Sequence, residues 1–112
     1  MQVYHDDGGG ITEASKQHFS LMLSHLRSKG FSPVQVTIHA EGEFMFELYG
    51  IQGKEAIVIL ESGFNSGYGG EGPHGSKWAL EQLGVLPKLA SEVFQRKGLV
   101  IDFRGGIPHI KE

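Results

Sequence analysis

Glu55-Ala-Ile-Val-Ile-Leu60 runs directly into Glu61-Ser-Gly-Phe-Asn-Ser-Gly-Tyr-Gly-Gly-Glu-Gly-Pro-His-Gly75 and then into Ser76-Lys-Trp-Ala-Leu-Glu-Gln-Leu83. The first segment is apolar on both faces and rich in β-branched residues, which predicts the central or best-covered strand of a sheet. The last has helical periodicity. Between them lie six of the chain's 17 glycines. Glycines gather where backbone takes φ > 0 or approaches something closely. A strand, a glycine loop and a helix in that order also aim free N–H groups at an anion.

Working outward, residues 34–40 and 43–49 alternate like strands, with Val34, Val36 and Ile38 on one face and Phe44, Phe46 and Leu48 on another. Short turns at Glu41-Gly42 and Gly50-Ile-Gln-Gly53 predict an antiparallel meander with the run at 54–60. Upstream, Phe19, Met22, Leu23 and Leu26 form a helical stripe, with Thr12 as N-cap and Gly30 as stop. Downstream, residues 76–83 predict a helix ended by Gly84. Residues 87–97 predict another, with Pro87 in its first turn, and residues 99–103 a last strand. The expectation is a single α+β domain over 1–112, with order α-β-β-β-α-α-β. About four mostly antiparallel strands are covered by helices, residues 1–10 form a flexible arm and residues 104–112 a tail.

Composition narrows the function. The chain has no cysteine, so thiolate chemistry and cysteine–zinc sites are excluded. A net charge of −3 without a basic cluster argues against nucleic acid as a partner. No apolar run approaches the roughly 18 residues of a membrane helix and no leader pattern opens the chain, so a cytoplasmic protein off the membrane is expected.

Gly67-Tyr68-Gly69-Gly70-Glu71-Gly72 fits G-x-G-x-x-G, but Gly72-Pro73-His74-Gly75 separates it from the expected helix, and no second βαβ half follows. The spacing Gly70 to Gly75 matches a P-loop, yet Ser76-Lys77 stands where Lys then Ser or Thr is required. A broader reading remains. Amides of Gly67, Gly69, Gly70, Gly72, Gly75 and Ser76 cradle a phosphate or carboxylate, Lys77, His74 and Arg104 add charge, and Tyr68 or Phe64 stacks on a base. Glu61 or Glu71 suits a ribose or amine. The competing reading is a rigid loop whose glycines serve packing.

The run Phe64-Asn-Ser-Gly-Tyr-Gly-Gly-Glu-Gly-Pro-His-Gly75, with Trp78-Ala-Leu80 behind it, resembles small bacterial and phage-borne proteins that carry an aromatic, then Gly-Tyr-Gly-Gly/Ser-x-Gly-Pro, then a helix with an Ala-Leu pair. The resemblance spans about residues 57–94. It implies no established activity, but a gene pool of that kind implies roles in conflict, such as toxin immunity or interference with nucleotide signalling.

Other groups have plainer readings. His5-Asp6-Asp7 is metal-capable but reads as a solvated terminus. His18 and His25 share a helix face and read as boundary residues. Ser62 and Ser66 lie outside any nucleophile-elbow pattern. Three function classes follow. First is a non-catalytic domain holding an anionic, nucleotide-derived small molecule at the glycine-rich loop 67–75 and the N-terminus of the helix that follows. Second is an acidic immunity or inhibitor protein that meets a basic partner, with a homodimer an option in either case. Third is a hydrolase using Glu61 and His74. The sequence does not identify a cofactor.

Overall fold

The computed structural model describes residues 1–111 as a six-stranded mixed sheet with its helices on one face. In chain order the elements are β1 (Gln2–His5), α1 (Thr12–Arg27), β2 (Phe31–His39), β3 (Phe46–Gln52), β4 (Glu55–Glu61), α2 (Glu71–Gln82), α3 (Pro87–Ala90), a 3-10 turn (Ser91–Phe94), β5 (Gly98–Asp102) and β6 (His109–Ile110). The strands lie side by side as β1-β4-β3-β2-β5-β6.

The α+β class and the β2-β3-β4 meander agree with the sequence, but the sheet has six strands rather than four. Both additions come from the termini. The segment read as a flexible arm contributes β1, which pairs parallel to β4 with Gln2 beside Ile57 and His5 beside Leu60. The segment read as a tail contributes β6, antiparallel to β5. Strand β2 starts at Phe31, three residues earlier than expected, because a register shift between Pro33 and Gln35 carries the proline without breaking the pairing with β3. Gly50, expected at a turn, lies inside β3. A Cβ there would sit 2.3 Å from the Phe31 ring, so the glycine makes room for that ring. The helix expected at 87–97 is shorter and tightens into the 3-10 turn.

The core fills the space between helices and sheet. Phe19 from α1, Phe46 from β3 and Phe64 from the glycine loop meet edge to face, with centroids 5.3 to 6.0 Å apart, and Trp78 of α2 closes on Phe19. Ile57 and Ile59 of β4, Leu48 of β3 and Val36 and Ile38 of β2 complete it from the sheet side. Residues of the opposite register, including Val58, Leu60, Tyr49 and Ile51, lie outside that core. Among the described residues no helix packs on their face, and the smallest molecular dimension, 19 Å, is that of one helix layer on one sheet. No helix among the described residues is long and apolar enough to cross a membrane.

Candidate functional site

The topology brings two similar segments to one end of the sheet. β1 ends in Asp6-Asp7-Gly8-Gly9-Gly10 before α1, and β4 ends in Glu61-Ser62-Gly63 before the longer loop to α2. Because β1 and β4 are parallel, their C-terminal ends and the starts of both helices converge. The β2–β3 hairpin reaches the same end and supplies Met45.

Asp6 ties the strand ends together. Its Oδ2 accepts from Ser15 Oγ at 2.5 Å, Ser62 N at 3.0 Å and Ser62 Oγ at 2.9 Å, while Oδ1 accepts from Gly8 N at 3.0 Å. Ser15 Oγ in turn accepts from Gly63 N at 2.8 Å, and Ser62 Oγ from Gly10 N at 3.0 Å. Burial alone would raise the Asp6 pKa. The hydrogen bonds from Ser15, Ser62 and Gly8 outweigh it and hold the carboxyl below its ordinary value. A Cβ on Gly63 would lie 2.6 Å from the Ile11 carbonyl, so glycine is required where α1 crosses this knot.

Glu61 behaves in the opposite way. It is fully buried, and burial followed by the nearby Asp6 charge pushes its pKa up to about 9. His18 is lowered, first by burial and also by His5, against the pull of Asp6 and Asp7. The pair is therefore neutral at pH 7, with Glu61 Oε2–H donating to His18 Nδ1 at 2.5 Å. Glu61 Oε1 is buried with no partner. Two carboxyls side by side thus occupy different protonation states, one charged and one neutral. His74 does not meet Glu61, contrary to the hydrolase reading. Its Nδ1–H donates to the Gly70 carbonyl at 2.9 Å and its ring lies against Phe94.

In front of this knot is a polar cleft of about 180 Å³ lined by Gly10, Thr12, Met45, Ser62, Gly63, Asn65, Tyr68, Glu71 and Gly72. A second lobe of about 140 Å³ shares Thr12 and Glu71 with it and adds Glu13, Lys16 and His74. Neither α1 nor α2 has a side-chain cap: their N-cap residues are Ile11 and Gly70. Thr12, expected to cap α1, instead donates its hydroxyl to the Gly63 carbonyl at 3.0 Å. Helix α2 starts at Glu71, five residues earlier than expected, because Pro73 suits a first turn where its missing N–H costs nothing. The G-x-G-x-x-G segment therefore runs straight into the helix. Larger hollows of about 270 and 560 Å³ flank Trp78, but they follow the flanks of α1 and α2 and do not touch the glycine loop.

The ten loop residues singled out by sequence divide between cleft and scaffold. Tyr68, Glu71, Gly72 and His74 line the two lobes. Gly67 is left-handed, with φ +103°, and donates to the Val93 carbonyl at 2.8 Å. Gly69 has open space around it, whereas Gly70 lies under the Tyr68 ring and Gly75 against Phe64 and Thr12. Ser76 donates to the Asn65 carbonyl at 2.7 Å, and Lys77 pairs with Glu81 at 3.1 Å along its own helix. Phe64 is core, and Arg104 pairs with Asp102 at the opposite end of the sheet. The cation beside the cleft is Lys16, which also lies over Trp78.

Asp6, Ser15, Ser62, Gly63, Thr12 and Lys16 come together at this end of the sheet without any local motif that marks them as one constellation. The signal lay in the repeated order of strand, acid, small residues and helix at both 4–12 and 60–72. No protein-family model matches the chain, and comparison with characterised proteins and with solved structures gave no match.

Proposed function

We propose that the chain is a non-catalytic binding domain whose two-lobed cleft holds a small anionic molecule, nucleotide-derived and singly phosphorylated. The observation that carries this reading is the convergence of two helix starts, both without side-chain caps, on one polar cleft at the ends of a parallel strand pair. Such starts present unpaired N–H groups and the positive end of the helix dipole. Lys16 adds an ammonium donor in one lobe. The His74 Nδ1–H and the hydroxyl protons of Ser62 and Thr12 are already given to Gly70, Asp6 and Gly63, so an anion is met by Lys16 and the helix-start amides. Glu71, shared by both lobes, suits ribose hydroxyls or an amine, and the half-exposed Tyr68 ring offers a face to a base.

The acids set the limit on charge. Asp6 lies ionised behind Ser62, and Glu13 and Glu71 stand on the rim, so a triphosphate is disfavoured relative to a monophosphate. The same burial argues against acid–base catalysis by Asp6 and Glu61, because neither carboxyl lines the cleft. The conflict setting rests on the resemblance of residues 57–94 and on nothing in the geometry.

The test is thermal and calorimetric titration with inorganic phosphate, nucleoside monophosphates, cyclic mononucleotides and triphosphates. A monophosphate at about ten times its Kd should add about 1.4 kcal/mol of stability. Lys16→Glu should abolish that gain while Lys77→Ala leaves it. If none of these compounds stabilises the protein at about 10 mM, well above the micromolar-to-millimolar Kd range expected for such a site, the reading fails.

A further inference from the structure

The face of the sheet turned away from the helices is sorted by chemistry. On β4 it carries Ala56, Val58 and Leu60, so this strand is apolar on both sides, although helices cover only one. On β2, two strands along and beyond β3, the same face carries Gln35 and Thr37. The apolar part is thus centred on β4 with a polar rim beyond β3, the arrangement of an interface core and its edge. Val3 on β1, 48% exposed, extends the apolar part to the edge strand.

The register across this face is self-complementary. One row runs His5, Leu60, Glu47 and the next Val3, Val58, Tyr49. A two-fold axis laid along β4 sets Leu60 on the partner's Leu60 and Val58 on the partner's Val58. It sets Tyr49 on the partner's Val3 and the Glu47 carboxylate on the partner's His5. An axis along β3 instead would set Glu47 on the partner's Glu47. Repulsion between those two carboxylates disfavours the β3 axis and selects the β4 axis.

We infer that this face joins two copies of the chain in a reversible, two-fold, face-to-face dimer centred on β4. The area sets its strength. Three strands about 4.8 Å apart and about five residues long present roughly 250 Å² of flat sheet. That is well below the roughly 800 Å² per partner of a standard interface, so the dimer is a weak one that forms only as concentration rises. It leaves the cleft open, since the cleft lies on the helix side at the strand ends.

Sedimentation velocity of the full chain from about 5 to about 500 µM should show a 12.3 kDa monomer passing into a dimer of twice that mass. Val58→Lys brings two ammonium groups together at the axis and should raise the dissociation constant at least tenfold, with circular dichroism and melting midpoint unchanged. Glu47→Lys should weaken the dimer as well, and the double variant Glu47→Lys with His5→Glu should restore it. A chain that is monomeric throughout would overturn the inference. So would a dimer indifferent to Val58→Lys, and failure of the charge swap would overturn the β4 axis. Ligand binding at the cleft is read separately by calorimetry, so either proposal can fail without the other.

Discussion

Replacing Glu61 by Gln should make the protein progressively more stable than the native chain as pH rises. In the folded state burial and Asp6 keep the carboxyl protonated up to about pH 9, against an ordinary value of 4.5. Between those values the folded chain holds a proton that the unfolded chain has released, so stability falls as pH rises, by about 1.4 kcal/mol per pH unit. His18 works with the opposite sign below 6.5. Its lowered pKa keeps it neutral when folded while the unfolded imidazole protonates, so its contribution is lost as pH falls. The two slopes oppose each other below 6.5, and the clean window is pH 6.5 to 9. Gln matches the neutral acid in shape and does not titrate. The gap between variant and native chain should therefore widen by about 2.7 kcal/mol from pH 6.5 to 8.5, a large fraction of a small domain's total stability. Urea unfolding followed by the single tryptophan, Trp78, which packs on Phe19 and Phe64, measures it at each pH. Any constant offset from the altered hydrogen bond cancels in the difference. A gap that stays constant within about 0.5 kcal/mol would mean that Glu61 is ionised in the folded state and paired with a charged His18, and the burial argument would be wrong.

Three further outcomes follow from the same end of the sheet. Asp6→Asn keeps the volume but turns an amide N–H₂ toward donors that the carboxylate satisfied, and should cost about 3 kcal/mol in urea unfolding at pH 7. In the native chain the Asp6 contribution is present above its ordinary pKa of 3.8 and is lost as pH falls through its lowered folded value, so Ser15→Ala, which removes one of the bonds that lower it, should begin acid unfolding at a higher pH than the native chain. Gly63→Ala meets the Ile11 backbone and should lower the melting midpoint strongly. Gly69→Ala meets nothing and should be neutral or stabilising by up to about 1 kcal/mol, a contrast that a pair of thermal melts reads directly.

The elements of this protein were legible because their signals are local. Alternation in Val34-Gln-Val-Thr-Ile38, the apolar run at 56–60 and the stripe Phe19, Met22, Leu23, Leu26 each fall within one element, and each element formed near its expected place. The boundaries that moved were those where a neighbour decides. Helix α2 absorbed Gly72, Pro73 and Gly75 because Phe64 and Thr12 pack against a backbone with no Cβ in the way. The terminal strands leave no such signal, because Gln2–His5 and His109–Ile110 carry too few residues for a period to show and form only by adding to edges that the rest of the sheet provides.

By itself the sequence determined the strand, glycine loop and helix at 55–83, the helical and alternating stripes, and the absence of thiol chemistry. Local periodicity and residue chemistry suffice for those. Only the tertiary structure decided that Asp6 is buried rather than solvated, that Glu61 faces His18 rather than His74, and that Lys16 rather than Lys77 stands beside the cleft. Those outcomes depend on one parallel pairing, β1 on β4, which brings Asp6 within 3.0 Å of an amide 56 residues away. A side chain's charge is set by what surrounds it in space, and spacing along the chain carries no record of that.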